Sequence, residues 1–156
     1  MKNIRILNTR EVKRMIQLLD SMFGFKERFP YVFLQTVKDK IFVVNRDIGE
    51  VDLSRIKVQT IGLYLGTLER GKVRLSIEGA QLIGPKCKHH IIEFDQRQLH
   101  EWLTGEKVTI EDIKELEDQA YYLVKYKDEF LGCAKLAKNT LLNFVPKERR
   151  LRVVND

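Results

Sequence analysis

The sequence predicts an α+β protein of two small units, an N-terminal α/β unit followed by a small β-barrel, closed or half-closed. Three observations lead there. An amphipathic helical pattern opens the chain. Two pairs of β-branched and aromatic runs follow it, each pair joined by a short polar turn. Beyond residues 86–90, one short helical stretch is set among about five short extended segments, the proportion of a small barrel. At 156 residues the chain holds one domain, or two small ones sharing a core.

The opening helix has Thr9 as its expected N-cap, and Val12, Met15, Ile16, Leu19, Met22 and Phe23 recur at steps of three and four. Gly24 can adopt the left-handed conformation that closes it. Tyr31–Val37 ("YVFLQTV") and Ile41–Asn45 ("IFVVN") read as a hairpin through "KDK", and Asp47 to Arg55 as a turn or short helix. "TIGLYLGTL" and "KVRLSI" flank the turn "ERG" as a second strand pair, which places the first unit at residues 1–85. Residues 86–90, "KCKHH", are the linker, and 91–156 the second unit. There "IIEF" is extended, and Asp95 caps a helix whose stripe is Leu99, Trp102 and Leu103 and whose stop is Gly105. "KVTI", "YYLVKY", "FLGCAKL" and "LLNFV" resume extended structure, with a tight turn at "KDE".

The longest apolar runs are too short to span a bilayer, and the N-terminus lacks the apolar stretch of a signal peptide. Two cysteines form no disulfide framework, which fits a cytoplasmic protein. The net charge of +6 is unevenly spread. Residues 1–90 carry 17 basic and 9 acidic groups, residues 91–124 carry 3 and 9, and residues 125–156 carry 8 and 4. The acidic stretch "EDIKELED", Glu111–Asp118, would repel a polyanion locally and confine it to one side of the molecule.

The order strand, "LHEWLTGEKV", "YYLVKYKDEFLGCAKL" and a basic C-terminal segment resembles a PUA domain, the RNA-binding pseudo-barrel of pseudouridine synthases and archaeosine transglycosylases. Within that family it is similar to the C-terminal PUA-like region of the Sun-type (NOL/NOP/Sun) rRNA cytosine-5 methyltransferases. Gly62, Leu63, Gly66, Leu68, Gly71, Lys72 and Ser76 fall at positions that family favours, as do Gly105, Leu131, Gly132, Lys135, Asn143, Pro146 and Lys147. The size and the α/β-plus-PUA order also resemble the Nip-seven type of ribosome-biogenesis factor. The resemblance, over roughly Gly62 to Arg150, implies a PUA-like β pseudo-barrel and RNA binding. Cys133 and Ala134 stand where the family has an aromatic and a glycine, Leu75 where it has proline, and Phe144–Val145 where it has a His–Tyr pair.

Catalytic chemistry finds little support in the residues. The methyltransferase domain itself is missing, and there is no glycine-rich strand-to-helix loop, so no cofactor is expected. Neither cysteine lies in the Pro–Cys or Thr–Cys setting of a nucleophile in that family, and Cys133, between small residues of an apolar strand, reads as packing. Cys87, His89 and His90 could begin a zinc site completed by His100 or Cys133, but the spacing matches no usual ligand pair, and no metal is expected. Glu111, Asp112, Glu115, Glu117 and Asp118 have no apolar pocket to raise a carboxyl pKa.

The expected site is the basic C-terminal face. Lys135, Lys138, Lys147, Arg149, Arg150 and Arg152 suit phosphate oxygens, with Lys86 and Lys88 in the linker. Asn139, in a turn, can donate to and accept from a base edge or a 2′-hydroxyl. The plainer alternative is that these charges guard an exposed strand edge. The sequence therefore predicts a non-catalytic RNA-binding protein acting on rRNA or tRNA in RNA modification or ribosome biogenesis. The alternatives are a module that docks an RNA methyltransferase or assembly factor, and a small enzyme. Tyr64, Tyr121 or Trp102 exposed on the basic face would favour stacked RNA, and the same rings in an uncharged apolar patch a protein partner.

Overall fold

The structure of the protein is a computed structural model, and it describes residues 4–45 and 62–152. The expected turn or helix at Asp47 to Arg55 lies outside the described residues.

The first half is a five-stranded antiparallel meander. Strands β1 (Ile4–Ile6), β2 (Tyr31–Thr36), β3 (Lys40–Asn45), β4 (Leu63–Glu69) and β5 (Lys72–Leu75) lie in that order. Helix α1 (Thr9–Phe23) connects β1 to β2 and buries Met15, Leu19 and Phe23. Its N-cap is Asn8, not the expected Thr9. The Asn8 side chain accepts from the Glu11 amide at 2.9 Å, and the Glu11 carboxylate accepts from the Asn8 amide at 3.0 Å. This reciprocal pair starts the helix one residue earlier, and Thr9 becomes its first helical residue. Gly24 closes the helix at φ 70°, as its sequence position predicts.

The segment "KVRLSI" departs from expectation. The strand stops at Leu75, because the Ser76 hydroxyl accepts from the Gly79 amide at 2.8 Å and caps helix α2 (Ile77–Ile83). A 3-10 turn, Gly84–Lys86, continues it. Helix α2 packs on β4 with no side chain between them at Gly79, where an added Cβ would overlap the Leu65 carbonyl oxygen. Gly79→Ala improves helix propensity by about 1 kcal/mol, yet here it is expected to lower stability by about 1–3 kcal/mol through overpacking. Denaturant midpoints check this, and an unchanged or raised midpoint would contradict the close approach.

The second half is a mixed sheet in the order β6 (Ile91–Glu93), β8 (Tyr121–Tyr126), β9 (Glu129–Ala137), β10 (Thr140–Leu142) and β7 (Val108–Thr109). Strands β6 and β8 run parallel, and the other pairs are antiparallel. A parallel neighbour requires a crossover, and helix α3 (Gln96–Leu103) leads away from β6, capped by Asp95 with Gln98 in a capping box. Among the described residues β6 and β7 remain as edges, so this sheet is open and not a closed form of the expected closed or half-closed barrel. The fold class is nonetheless α+β, with three helices and two mostly antiparallel sheets among the described residues.

The β8–β9 register shifts between Val124 and Lys125, and Gly132 sits beside this irregularity at φ 139°, where side chains are strained. The sheets share apolar contacts. Phe33 and Leu65 of the first belong to one buried cluster with Leu123 and Cys133 of the second. A separate cluster of Trp102, Val108, Tyr122, Val124, Leu136 and Leu141 fills the space under α3.

Candidate nucleic-acid interface

The expected cations fall into four places. Lys147 and Arg149 lie exposed on a 3-10 turn (Lys147–Arg149) led by Pro146, and Arg149 donates to Glu78 of α2 at 2.5 Å. Arg152 is exposed just beyond, whereas Arg150 is half-buried, with Nε donating to the Val145 carbonyl at 2.9 Å. Its side chain also fills the space beside Gly105. Lys138 and Asn139 form the β9–β10 turn, Lys138 at φ 62°. Asp118 accepts the Lys138 amide at 2.6 Å, and the Asn139 carbonyl accepts the Ile110 amide at 2.8 Å. The acidic stretch thus adjoins this turn instead of lying wholly on another side. Lys86 and Lys88 are exposed around buried Cys87, and the Lys88 amide donates to the Phe23 carbonyl at 2.9 Å.

Lys135 belongs to a different constellation, a groove of about 700 Å³ between the two sheets. Glu69, Arg70, Lys72 and Arg74 of the β4–β5 hairpin form one wall. Gln119, Tyr121, Lys135, Leu142 and Phe144 form the other. The Arg74 guanidinium lies 4.6 Å above the centre of the Phe144 ring, and its Nη2 is 3.4 Å from a Glu69 carboxylate oxygen. The other Glu69 oxygen accepts the Tyr121 hydroxyl at 2.8 Å. Burial first, and then this hydrogen bond to a carboxylate, push the Tyr121 phenol up to about 12, so it stays a donor at neutral pH. The Lys135 ammonium sits 5.9 Å from the Tyr121 ring centre.

Arg70, Lys72 and Arg74 are not among the cations expected at the site, although Lys72 falls at a position the resembled family favours. The available signal was the strand period. Lys72 and Arg74 are two residues apart on β5, hence on one face, and Lys72 pairs with Glu69 across the hairpin. A cavity of about 220 Å³ adjoins the groove and shares Arg74 and Phe144 with it, with Trp102, Gly132 and Arg149 also in its lining.

Of the aromatic rings that could report on stacking, Tyr121 and Trp102 are buried and Tyr64 is half-buried. Phe144, half-buried under Arg74, lines the groove together with buried Tyr121.

The cysteines are shielded. Burial pushes both the Cys87 and Cys133 thiols up to about 12, and Cys87 donates to the Ile83 carbonyl at 3.3 Å. His89 and His90 face one another, Nδ1 to Nδ1 at 2.8 Å, so one ring donates to the other. Burial, and then the His89 charge, hold His90 below its ordinary value. Among the described residues no three His, Cys, Asp or Glu side chains converge as metal ligands. The five carboxylates of the acidic stretch are all exposed. Cys133→Ser is expected to cost about 1–3 kcal/mol by burying a hydroxyl in place of a thiol. RNA affinity of the folded variant should be unchanged. Chemical denaturation and a binding titration check the two halves, and lost binding in a folded variant would contradict a packing role.

Among the described residues no helix is long and apolar enough to cross a membrane. No curated protein is a match to this chain. Residues 89–151 match the family described as the methyltransferase RsmF PUA domain, a stretch that takes in all five strands of the second sheet, so a PUA domain is present there.

Proposed function

We propose that the protein binds RNA without catalysing a reaction on it, and that it positions rRNA or tRNA during RNA modification or ribosome assembly. The observation that carries this reading is the PUA domain match at residues 89–151, a type of domain that suggests RNA binding. Exposed cations at its C-terminal end, Lys147, Arg149 and Arg152, supply the charge such binding needs. Lys135, Lys138, Asn139, Arg150, Lys86 and Lys88 complete the proposed contact set, with Arg150 also bracing the Gly105 turn. In this reading an N-terminal unit, residues 1–85, and a PUA-like unit, residues 91–156, act together across the junction at 86–90. Phosphate contacts fix the register of the RNA, and selectivity comes from RNA shape and unpaired bases.

The test is cross-linking of the protein in cells followed by sequencing of the attached RNA. Enrichment of defined rRNA or tRNA segments is expected. Recovery of no RNA, or of messenger RNA in proportion to abundance, would overturn the proposal.

A further inference from the structure

We infer that the groove between the β4–β5 hairpin and strands β8–β10 takes a single strand of RNA, so that the first sheet supplies half of the binding site. The inference rests on the RNA-binding reading above and adds to it the strand state of the RNA and the residues that hold it.

The charge balance of the lining favours an anion. Arg70, Lys72, Arg74 and Lys135 face a single carboxylate, Glu69. That carboxylate is occupied on both oxygens, by the Tyr121 hydroxyl and by Arg74, and so joins the two walls instead of repelling a phosphate. Arg70, Lys72 and Lys135 have no carboxylate partner within salt-bridge distance among the described residues. Lysine ammoniums and an arginine fork left in this state suit phosphodiester oxygens.

The flat surface in the groove favours an unpaired base. The Arg74 guanidinium, held by Glu69 and by the Phe144 ring at 4.6 Å, is a planar cation fixed before any ligand arrives. Splayed bases stack on aromatic rings and on arginine planes, and a base within a duplex, already stacked and paired, cannot reach into a groove to do so. Gln119, at the edge of the same lining, carries an amide that both donates and accepts and can meet a base edge. An acidic peptide is the competing occupant. It would use the cations and have no need of the stacked pair.

Titration of the full chain with an unstructured single-stranded RNA and with a hairpin duplex RNA separates these cases. The double variant Arg70→Asn with Lys72→Gln alters exposed positions of the β4–β5 hairpin, and Asn tolerates the left-handed φ of 51° at residue 70. It should lower the single-strand salt slope by about 1.4, or 0.7 for each phosphate released, while duplex binding changes little. Phe144→Leu keeps an apolar side chain and should weaken single-strand binding about fivefold or more with the slope unchanged. Groove variants that bind the single strand like the wild type, or that lose single strand and duplex equally, would overturn the inference. So would unchanged affinity in Phe144→Leu, which would leave the groove to an acidic peptide. A wild-type protein that binds only duplex overturns the groove alone, and one that binds neither RNA overturns the RNA-binding reading with it.

Discussion

Trp102→Ala is expected to lower stability by about 3–5 kcal/mol, a large share of what a domain of this size holds in reserve. Trp102 is 1% exposed and is the largest fully buried side chain among the described residues. Its ring meets Phe94 edge-on with centres 5.8 Å apart, and its indole N–H donates to the Leu131 carbonyl at 3.3 Å. Gly132, next to Leu131, leaves the ring room, since a Cβ there would come 3.2 Å from it. Removing the indole opens a cavity under α3 and leaves the Leu131 carbonyl without that donor. The main chain at Trp102 is itself a fixed point, because the Asn143 amide bridges the Trp102 and Glu106 carbonyls at 2.9 Å each. That bridge limits how far α3 can settle into the gap. Urea denaturation measures the loss. A shift below about 1 kcal/mol would show that the site collapses freely or that Trp102 is not buried as described.

Elements with local signals were legible in the sequence. The three- and four-residue spacing of Val12 to Phe23, with Gly24 after it, marked α1, and Asp95 with the Leu99–Trp102–Leu103 stripe marked α3. Alternating apolar runs around "KDK", "ERG" and "KDE" marked the three hairpins β2–β3, β4–β5 and β8–β9. Helix α2 was not legible, since seven residues cannot sustain a helix alone and its place is set by packing on β4 and β9. Strand β1 is three residues long and is held by its pairing with β2. The choice between Asn8 and Thr9 as cap turns on the reach of Glu11, which stands three residues beyond Asn8 and only two beyond Thr9.

The site divides in the same way. The proposed C-terminal cations stand out in the sequence because they are adjacent there. The groove was not, because its walls come from Arg70–Arg74 and from Gln119–Phe144, and only tertiary packing brings those segments together. The placement of Asp118 against the Lys138 amide is likewise a long-range contact that charge counting along the chain does not reveal.

The most direct measurement of whether the C-terminal face holds RNA is the salt dependence of RNA binding by the wild type and by Lys147→Ala with Arg149→Ala. Both side chains are exposed, and the ion pair removed, Arg149 with Glu78, lies at the surface and contributes little to stability. Arg150 is left intact because it donates to the Val145 carbonyl and fills the space beside Gly105. If the two cations neutralise phosphates, the log–log slope on single-stranded RNA should fall by about 1.4, with affinity reduced alike for many sequences. The control Lys13→Ala with Arg14→Ala removes the same charge from the exposed face of α1 and should leave the slope unchanged. Equal losses from tail and control would mean that net charge alone draws the RNA, and would contradict a defined C-terminal interface.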